Sequence, residues 1–284
     1  MLNTLKNIIA GIVSKLGYEL VPKKLNDAAD DPIAILGLLL QSEDVSVIID
    51  GGASIGDTSQ KFSILFPNAS IFAFEPYPPF LDAIKKKAEV NPQIKDIPFA
   101  LDNKPGVRIL NVNKSEGTNS FYDASEDSKR IYHNHFEKEK ELRVNTTSLD
   151  IWCKEQSITH IDILKLDLQG GEKAALEGAV NKLKNKSIHY ILSEISFISQ
   201  YKDQPIASDI INLLDSFGYD LLNLYQVHYY DGYMIQADAI FVERSYHVNK
   251  RAKNKSLFFP YSRLPLRIPS RFGSCEHSYS NRLK

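Results

Sequence analysis

Residues able to bind a ligand or move a proton follow several short apolar runs of the sequence. Asp50 and a glycine-rich turn at residues 51–56 come directly after the apolar run 47–49, and Asp167 and Glu194 end two later runs. A glycine turn lets a ligand approach the backbone closely. A carboxylate can accept a proton, orient a hydroxyl group or attract a cation. These residues therefore predict a ligand site with acid–base groups beside it.

The pattern around these residues alternates β-branched runs with stretches of helical period. We expect central strands at 45–49, 70–74, 97–101, 161–166 and 188–195, extended segments at 107–112 and 143–147, and a final antiparallel pair at 219–225 and 239–242. Helices are expected between the central strands. The pattern predicts an α/β fold with a mostly parallel sheet, an antiparallel last strand and helices on both faces. Ligands of such sheets bind outside the carboxyl ends of the strands.

Charge is divided unevenly along the 284 residues, whose formal net charge is -1. Nine Lys and Arg residues and one acid, Glu276, lie in residues 250–284, so this tail carries +8 and the remainder carries -9. An acidic body argues against nucleic acid as a partner. The two cysteines indicate a reducing compartment, and no apolar run is long enough to span a membrane, so we expect a cytoplasmic protein.

The glycine spacing admits two classes of cofactor. Gly51, Ala53 and Gly56 loosely fit the dinucleotide-binding pattern, with Glu75 placed to bind ribose hydroxyls. Asp50 favours a cationic ligand instead, because a carboxylate beside a pyrophosphate costs several kcal/mol at reduced dielectric and an ammonium group is attracted by a similar amount. S-adenosylmethionine carries such an amino group and no phosphate.

We therefore expect a groove for S-adenosylmethionine across three strand ends. Asp50 would bind the methionine end, Glu75 the ribose diol, and the turn after Leu101, with Asp102, the adenine. The full set of predicted cofactor residues is Asp50, Gly51, Gly52, Ala53, Gly56, Glu75, Pro76, Leu101 and Asp102.

Four segments in order resemble the FkbM-type methyltransferases, a branch of the class I S-adenosylmethionine-dependent family: "DGGASIGDTS", "FAFEPYPPFLDAIKKKAEVN", "RVNTTSLD" and "DILKLDLQGGEKAALEGA". The resemblance covers roughly residues 45–243. It implies a Rossmann-like fold with a seven-stranded sheet, and by motif it adds Lys165, Asp167, Gly170 and Glu172 to the site. The chain departs from the family pattern at Gln169 and Gly171, where the family often has an acid and a bulkier residue or alanine.

The expected catalytic residues are Asp167, Glu194 and His228. Asp167 could act as a general base, ligate a divalent metal or orient the substrate. It could instead cap the following turn or pair with Lys165, two residues earlier on the same strand face. His228 is expected in a loop on the ligand side. Asp167 with Glu194 does not establish a metal site. Metal dependence therefore stays open, and a site without a metal is favoured.

The sequence says less about the roles of the remaining histidines and aromatic residues. His133 and His135 lie in the polar segment 113–142, which could close over the substrate, whereas His160 and His189 should face the opposite edge of the sheet. The tyrosines 229, 230 and 233, and Trp152, could stack on a sugar ring or pack a core.

These features predict methyl transfer from S-adenosylmethionine to a hydroxyl of a saccharide or glycolipid; the oxygen acceptor is implied by the family resemblance. A polyketide or other secondary-metabolite hydroxyl is an alternative acceptor. An NAD-dependent oxidoreductase and a non-catalytic Rossmann-like binding module are the alternatives of other classes.

Three regions are expected along the chain. Residues 1–41 form an N-terminal helical extension, with an amphipathic helix at 2–16 and a second helix at 33–41 capped by Asp30-Asp31-Pro32. Residues 42–249 form the methyltransferase domain. Residues 250–284 form a basic tail rich in proline and aromatic residues, without regular structure, that could contact an anionic membrane surface. The oligomeric state is not predicted.

Overall fold

The structure, a computed structural model, describes residues 30–41 and 43–253. Its centre is a seven-stranded sheet in the order β3-β2-β1-β7-β8-β10-β9. All neighbours pair in parallel except β10, which is antiparallel to both β8 and β9. The strands are β1 (Val47–Gly51), β2 (Ser70–Phe74), β3 (Ile94–Ile97), β7 (Ile161–Leu166), β8 (Ile188–Ser196), β9 (Tyr219–Tyr230) and β10 (Tyr233–Glu243). The predicted class I methyltransferase fold is confirmed.

A second, three-stranded sheet lies beside the carboxyl ends of the first three main strands. Its order is β4 (Ala100–Leu101), β6 (Lys138–Thr147), β5 (Gly106–Asn113), and it accounts for the extended segments expected at 107–112 and 143–147. The third main strand was predicted wrongly at 97–101. The chain leaves the main sheet at Ile97, and Ala100–Leu101 instead pairs with the end of β6.

Helices cover both faces of the main sheet, as the alternating pattern predicts. They are α1 (Pro32–Leu39), α2 (Asp57–Leu65), α3 (Pro78–Val90), α4 (Glu126–Tyr132), α5 (Leu149–Glu155), α6 (Glu172–Glu177), α7 (Val180–Lys184), α8 (Ala207–Ser216) and α9 (Arg244–Lys253). Short 3-10 turns occupy Glu116–Thr118 and His133–Phe136. In the part of the chain that the structure describes, no helix has the length and apolarity needed to cross a membrane.

The core has one large apolar cluster on each face of the sheet. Ile49, Leu164 and Ile191 belong to one cluster, and Ile48 and Ile163 belong to the other. Burying each such side chain stabilises the fold by about 1.5–3 kcal/mol. Ile and Leu residues thus point to both faces of β1 and β7, as expected of a parallel sheet covered on both sides.

Helix α1 begins where the sequence predicts. Asp31 Oδ1 accepts a hydrogen bond from the Ile33 amide at 2.9 Å, and Pro32 occupies the first turn. The helix buries Ile33 and Leu36 against Ile48 of the central sheet. The helix expected at 2–16 lies outside the described residues.

Two predictions about the last part of the chain need correction. The final strands are longer than expected, and a two-residue turn, Asp231-Gly232, joins them with positive φ at both positions. Helix α9 continues through Lys253, so the irregular tail cannot begin at residue 250. Residues 254–284 of the predicted tail lie outside the described residues.

Candidate active site

A cavity of about 200 Å³, partly open to solvent, lies outside the carboxyl ends of β1, β2 and β7. This is the edge where open parallel sheets bind ligands. Its lining includes Gly52, Ser54, Phe74, Glu75, Pro76, Phe80, Leu101, Leu110, Asn119, Ser120, Phe121, Asp167, Leu168 and Gln169. Of the residues predicted for the cofactor, Gly52, Glu75, Pro76 and Leu101 line this cavity.

The glycine turn packs directly against the end of β7. Gly52 has a φ of 70°, and the Asp167 amide donates to the Gly51 carbonyl oxygen at 3.1 Å. Ala53 is buried beneath the turn, and Gly56 ends it at the start of α2. Gly51, Ala53 and Gly56 therefore shape the turn, and Gly52 brings its backbone to the cavity wall.

Glu75 directly follows β2, and two backbone amides hold its carboxylate. Its Oε2 accepts from the Ser54 amide at 2.9 Å, and its Oε1 accepts from the Tyr77 amide at 2.8 Å. Burial raises the pKa of Glu75 to about 7, against the opposing effect of these two hydrogen bonds. Because a carboxylate oxygen can accept more than one hydrogen bond, Glu75 keeps acceptor capacity for a ligand hydroxyl in the cavity.

Asp50 does not face the cavity. It is fully buried, accepts a hydrogen bond from Ser59 Oγ at 2.6 Å, and forms an ion pair with Lys165, whose Nζ lies 3.2 Å from Asp50 Oδ1. Its charge is therefore offset inside the protein, below the glycine turn. Contrary to the expectation from the sequence, Asp50 does not itself discriminate between a pyrophosphate and an ammonium group in the cavity.

Lys165 links the glycine turn to the two acids. Its Nζ donates to the carbonyl oxygen of Gly52 at 3.0 Å and lies 3.6 Å from Asp167 Oδ2. Burial alone would lower the pKa of Lys165, but the neighbouring Asp50 and Asp167 carboxylates outweigh it and hold that pKa above its ordinary value. The lysine is therefore a fixed positive charge under the cavity floor. The ion pair between Lys165 and Asp167, left open by the sequence, is present.

Asp167 lies at the cavity wall with its side chain 41% exposed. Gln169 Nε2 donates to Asp167 Oδ1 at 2.9 Å, and Tyr201 Oη donates to Gln169 Oε1 at 2.8 Å. Lys165 and Gln169 thus contact one carboxylate oxygen each. Asp167 is held in one orientation and still reaches the cavity.

Glu194 lies behind Gln169 and is not part of the cavity wall formed by the described residues. Gln169 Nε2 lies 3.3 Å from Glu194 Oε2, and Gln236 donates to Glu194 Oε1. Burial raises the pKa of Glu194 well above its ordinary value, and the nearby Asp167 and Glu172 carboxylates raise it further. Glu194 therefore shares a polar network with Asp167 and does not stand beside it in the cavity.

Glu172 stabilises the turn that follows β7. Its Oε1 accepts hydrogen bonds from the backbone amides of Leu168, at 2.6 Å, and Gly170, at 3.4 Å. Burial raises the pKa of Glu172 to about 7. The side chain thus fixes the backbone that carries Asp167 and Gln169.

Two predicted residues are placed differently from expectation. His228 lies within β9, not in a loop, and its exposed side chain is on the hairpin with β10, where it does not contribute to the described cavity wall. Asp102 is buried next to the small sheet. Its Oδ2 lies 3.3 Å from Arg108 Nη1, and the Arg108 guanidinium stacks 4.2 Å from the ring centre of Phe121. Asp102 therefore supports a cavity residue through Arg108.

The segment 113–142 supplies cavity residues that the sequence did not single out. Asn119, Ser120 and Phe121 follow the 3-10 turn after β5 and form one wall of the cavity. Ser120 Oγ donates to the Gln169 carbonyl oxygen at 2.6 Å, which ties this wall to the turn after β7. The sequence feature that could have indicated this wall is Phe121, an aromatic residue within a polar stretch.

The aromatic residues considered as sugar-stacking groups separate into two places. Trp152 is buried in the core, with its ring edge-on to Phe72 and Phe74 at centroid distances of 4.9 and 4.8 Å. Phe74 in turn lines the cavity. The tyrosines 229, 230 and 233 are exposed at the tip of the last hairpin.

A second group of side chains lies at the opposite edge of the sheet, as expected for His160 and His189. His160 Nε2 is 3.0 Å and His189 Nδ1 is 3.6 Å from Asp162 Oδ1. By contrast, Asp167 belongs to no set of three described His, Cys, Asp or Glu donors within 4.8 Å of one another.

Comparison with known proteins identifies the family. The family model described as "Methyltransferase FkbM domain" matches residues 50–221. The 2-O-methyltransferase NoeI of Sinorhizobium fredii is 28% identical over 185 residues, which cover 63% of this chain and 74% of that protein. Methyltransferase sdnD of Sordaria araneosa is 23% identical over 197 residues, which cover 61% of this chain and 73% of that protein.

Among solved structures, the precorrin-6y C5,15-methyltransferase of Geobacter metallireducens matches 74% of this chain and 86% of its own, with 14% identity and a TM-score of 0.42. The family model covers more than half of the chain and begins at Asp50 of the glycine turn. The chain belongs to the FkbM methyltransferase family.

Proposed function

We propose that this methyltransferase uses S-adenosylmethionine and methylates a hydroxyl group of a saccharide or glycolipid. The family gives methyl transfer, and a relative at 28% identity is a 2-O-methyltransferase. The observation that carries the proposal is the position of Asp167. Its carboxylate is oriented by Lys165 and Gln169 and lies at the cavity wall, directly beside the glycine turn.

The residues of the cavity fit S-adenosylmethionine by their chemistry. Glu75 offers carboxylate acceptors for ribose hydroxyls, and the apolar side chains of Phe74 and Leu101 suit the faces of an adenine ring. Gly52 lacks a side chain, so a ligand can approach its backbone. The cofactor supplies an electrophilic methyl group with a neutral thioether as leaving group.

Asp167 is proposed to orient the acceptor hydroxyl and to take its proton. A hydroxyl of pKa about 15 is not deprotonated in advance by a carboxylate, but proton loss late in the transfer needs only an acceptor in position. Asp167 would accept the O–H proton of the acceptor, while bound S-adenosylmethionine would supply the methyl group. Because Lys165 and Gln169 already hold Asp167 in place, less conformational entropy is lost when the carboxylate is oriented for the reaction.

Glu194 and His228 have weaker support as proton acceptors. The raised pKa of Glu194 favours its protonated form, and Gln169 lies between it and the cavity. His228 is on the exposed hairpin. We therefore assign Glu194 a role in positioning Gln169 and Asp167, and give His228 no part in the transfer.

The acceptor is proposed to lie between Asp167 and the wall formed by Asn119, Ser120 and Phe121. The amide of Asn119 and the hydroxyl of Ser120 suit sugar hydroxyls, and Phe121 presents a ring to the apolar face of a sugar. The apolar residues Phe80 and Leu110 in the same cavity make a polyketide hydroxyl the second acceptor to test.

The cofactor is tested by calorimetric titration of the full chain with S-adenosylhomocysteine, NAD and NADP. We expect micromolar binding of S-adenosylhomocysteine alone. Binding of a dinucleotide instead would overturn the cofactor assignment, and binding of none of the three would favour a non-catalytic module.

The acceptor and the role of Asp167 are tested by transfer from methyl-labelled S-adenosylmethionine to saccharides, glycolipids and polyketide alcohols, with and without a chelator. Asp167→Asn should lower kcat about 100-fold or more while S-adenosylhomocysteine affinity changes little. Asp82→Asn, on an exposed helix carboxylate, is the matched control. Full activity of Asp167→Asn would remove the proposed role, and transfer to polyketide alcohols alone would replace the acceptor class.

A further inference from the structure

Two histidines and an aspartate meet at the edge of the sheet opposite the cavity. His160 immediately precedes β7, Asp162 is its second residue, and His189 is the second residue of β8. The parallel register pairs Ile161 with Ile188 and Ile163 with Tyr190, which places Asp162 beside His189. The cluster is therefore set by the two central strands and does not depend on a loop.

The carboxylate of Asp162 divides its two oxygens between different partners. Oδ2 accepts hydrogen bonds from the Ser46 amide at 2.8 Å, the Val47 amide at 3.0 Å and Ser46 Oγ at 3.1 Å. Oδ1 faces His160 Nε2 at 3.0 Å and His189 Nδ1 at 3.6 Å. One oxygen thus fixes the carboxylate to the start of β1, and the other is directed at two imidazole nitrogens.

The histidine rings are also held in place. Their ring centres are 4.0 Å apart, and Tyr246 of α9 stacks on His189 with a centroid distance of 3.7 Å and an interplanar angle of 20°. The side chains of His160, His189 and Asp162 are 35%, 25% and 10% exposed. The cluster is ordered by packing and remains open to solvent on one side.

We propose that His160 Nε2, His189 Nδ1 and Asp162 Oδ1 bind one Zn²⁺ ion. All three donor atoms lie within 4.8 Å of one another. Tetrahedral zinc with bonds of about 2.0–2.1 Å places its donors about 3.3 Å apart, and the measured 3.0 and 3.6 Å separations lie on either side of that value. Two imidazoles and a carboxylate are a donor set that zinc accepts, and water from the exposed side completes the coordination.

The position gives this ion a structural role. It joins the starts of β7 and β8 directly, and through Asp162 and Tyr246 it connects to the start of β1 and to α9. The cavity with Asp167 lies at the other ends of the same strands. Zinc at this site therefore stabilises the fold and takes no part in methyl transfer.

The test uses the untagged 284-residue chain, stripped with a chelator and titrated calorimetrically with Zn²⁺. The wild-type chain should bind one equivalent, retain it through gel filtration as measured by atomic absorption, and show a higher thermal midpoint. The double variant His160→Gln with His189→Phe keeps a ring for Tyr246 to stack on and should weaken zinc binding on the order of 100-fold or more. Affinity for S-adenosylhomocysteine should be the same with and without zinc.

His228→Gln, which removes an exposed histidine on the hairpin, is the matched control and should bind zinc as the wild type does. The single variant His160→Gln replaces the double variant where circular dichroism shows that the latter is unfolded. The proposal fails if the wild-type chain binds no zinc, or if folded variants at His160 bind it as tightly as His228→Gln. Zinc-dependent affinity for S-adenosylhomocysteine would overturn the structural role.

Discussion

Gly52 lies directly against the backbone carbonyl oxygen of Asp167. A Cβ atom added at Gly52 would stand 1.9 Å from that oxygen, and the φ of 70° is one that other residues rarely adopt. The glycine turn and the end of β7 are therefore built as one unit. A side chain at Gly52 must displace the residue proposed to receive the proton.

Gly52→Ala should accordingly destabilise the protein by about 2–5 kcal/mol, because it adds both backbone strain and an overlap with Asp167. Gly106→Ala is the control, since its Cβ would only meet Thr146 Oγ1 at 3.7 Å. Urea unfolding measures the difference, and S-adenosylhomocysteine titration of the folded fraction should show lost affinity. Equal stability of the two variants would contradict the close packing.

Lys165→Met should destabilise the fold by about 3–5 kcal/mol, because it leaves the buried Asp50 carboxylate without its partner. Adding Asp50→Asn to Lys165→Met removes that unpaired charge and should restore part of the loss. The double-mutant cycle, measured by chemical unfolding, gives the coupling between the two residues. Additive effects would mean that the ion pair does not hold the turn.

Stability should fall as the pH rises from about 5 to 8. Burial raises the pKa of Glu75 and of Glu172 from 4.5 to about 7, so between these values the folded state keeps protons that the unfolded state has lost. Each group then contributes up to about 3 kcal/mol below pH 4.5 that is lost as the pH passes about 7. Asp162 behaves in the opposite way. Its pKa is lowered in the folded state, so its contribution to stability is lost only as the pH falls below the ordinary aspartate range.

Glu172→Gln should flatten this pH dependence, and Glu155→Gln, at an exposed position, should leave it unchanged. Unfolding free energies at pH 5, 6.5 and 8 provide the measurement. Stability that is constant or increases over this range would show that the buried carboxyl groups are charged throughout.

Glu75→Gln should weaken S-adenosylhomocysteine binding about 10- to 100-fold, because the amide has one acceptor oxygen where the carboxylate has two and both are held by backbone amides. Glu89→Gln, on the solvent side of α3, is the control. The same affinity in both variants would exclude Glu75 from the ribose contact.

The basic residues 250–284 are proposed to contact an anionic membrane surface. The full chain should sediment with vesicles rich in phosphatidylserine at low salt and be released at high salt. Deleting residues 254–284 should abolish sedimentation. No sedimentation at low salt, or the same sedimentation after deletion, would reject this contact.

The sequence predicted the features that depend on local pattern. The apolar run before Asp50, the glycine turn and the acids that directly follow β2 and β7 are defined over a few residues. The topology brings these two acids, Glu75 and Asp167, to one edge. The burial of the Asp50 side chain and its ion pair were not predicted. Lys165 is distant in sequence, and its pairing with Asp50 follows from the register between β1 and β7.

Long-range packing also explains the other differences. Asp102 pairs with Arg108 because both lie at the small sheet. That sheet depends on the pairing of Ala100 with Thr146, which lies 46 positions later in the sequence. The wall residues Asn119 and Ser120 have no periodic signal, since a 3-10 turn and a hydrogen bond to the Gln169 carbonyl position them. Contacts between residues that are far apart in the sequence cannot be predicted from local sequence patterns.

Trp152, the single tryptophan, gives the molecule an intrinsic optical reporter. Its indole packs edge-on against Phe74, whose other side belongs to the cavity wall. A ligand that presses on Phe74 changes the surroundings of the indole across one ring. Emission from this residue can therefore follow the entry of a ligand and the unfolding of the core in the same unlabelled sample.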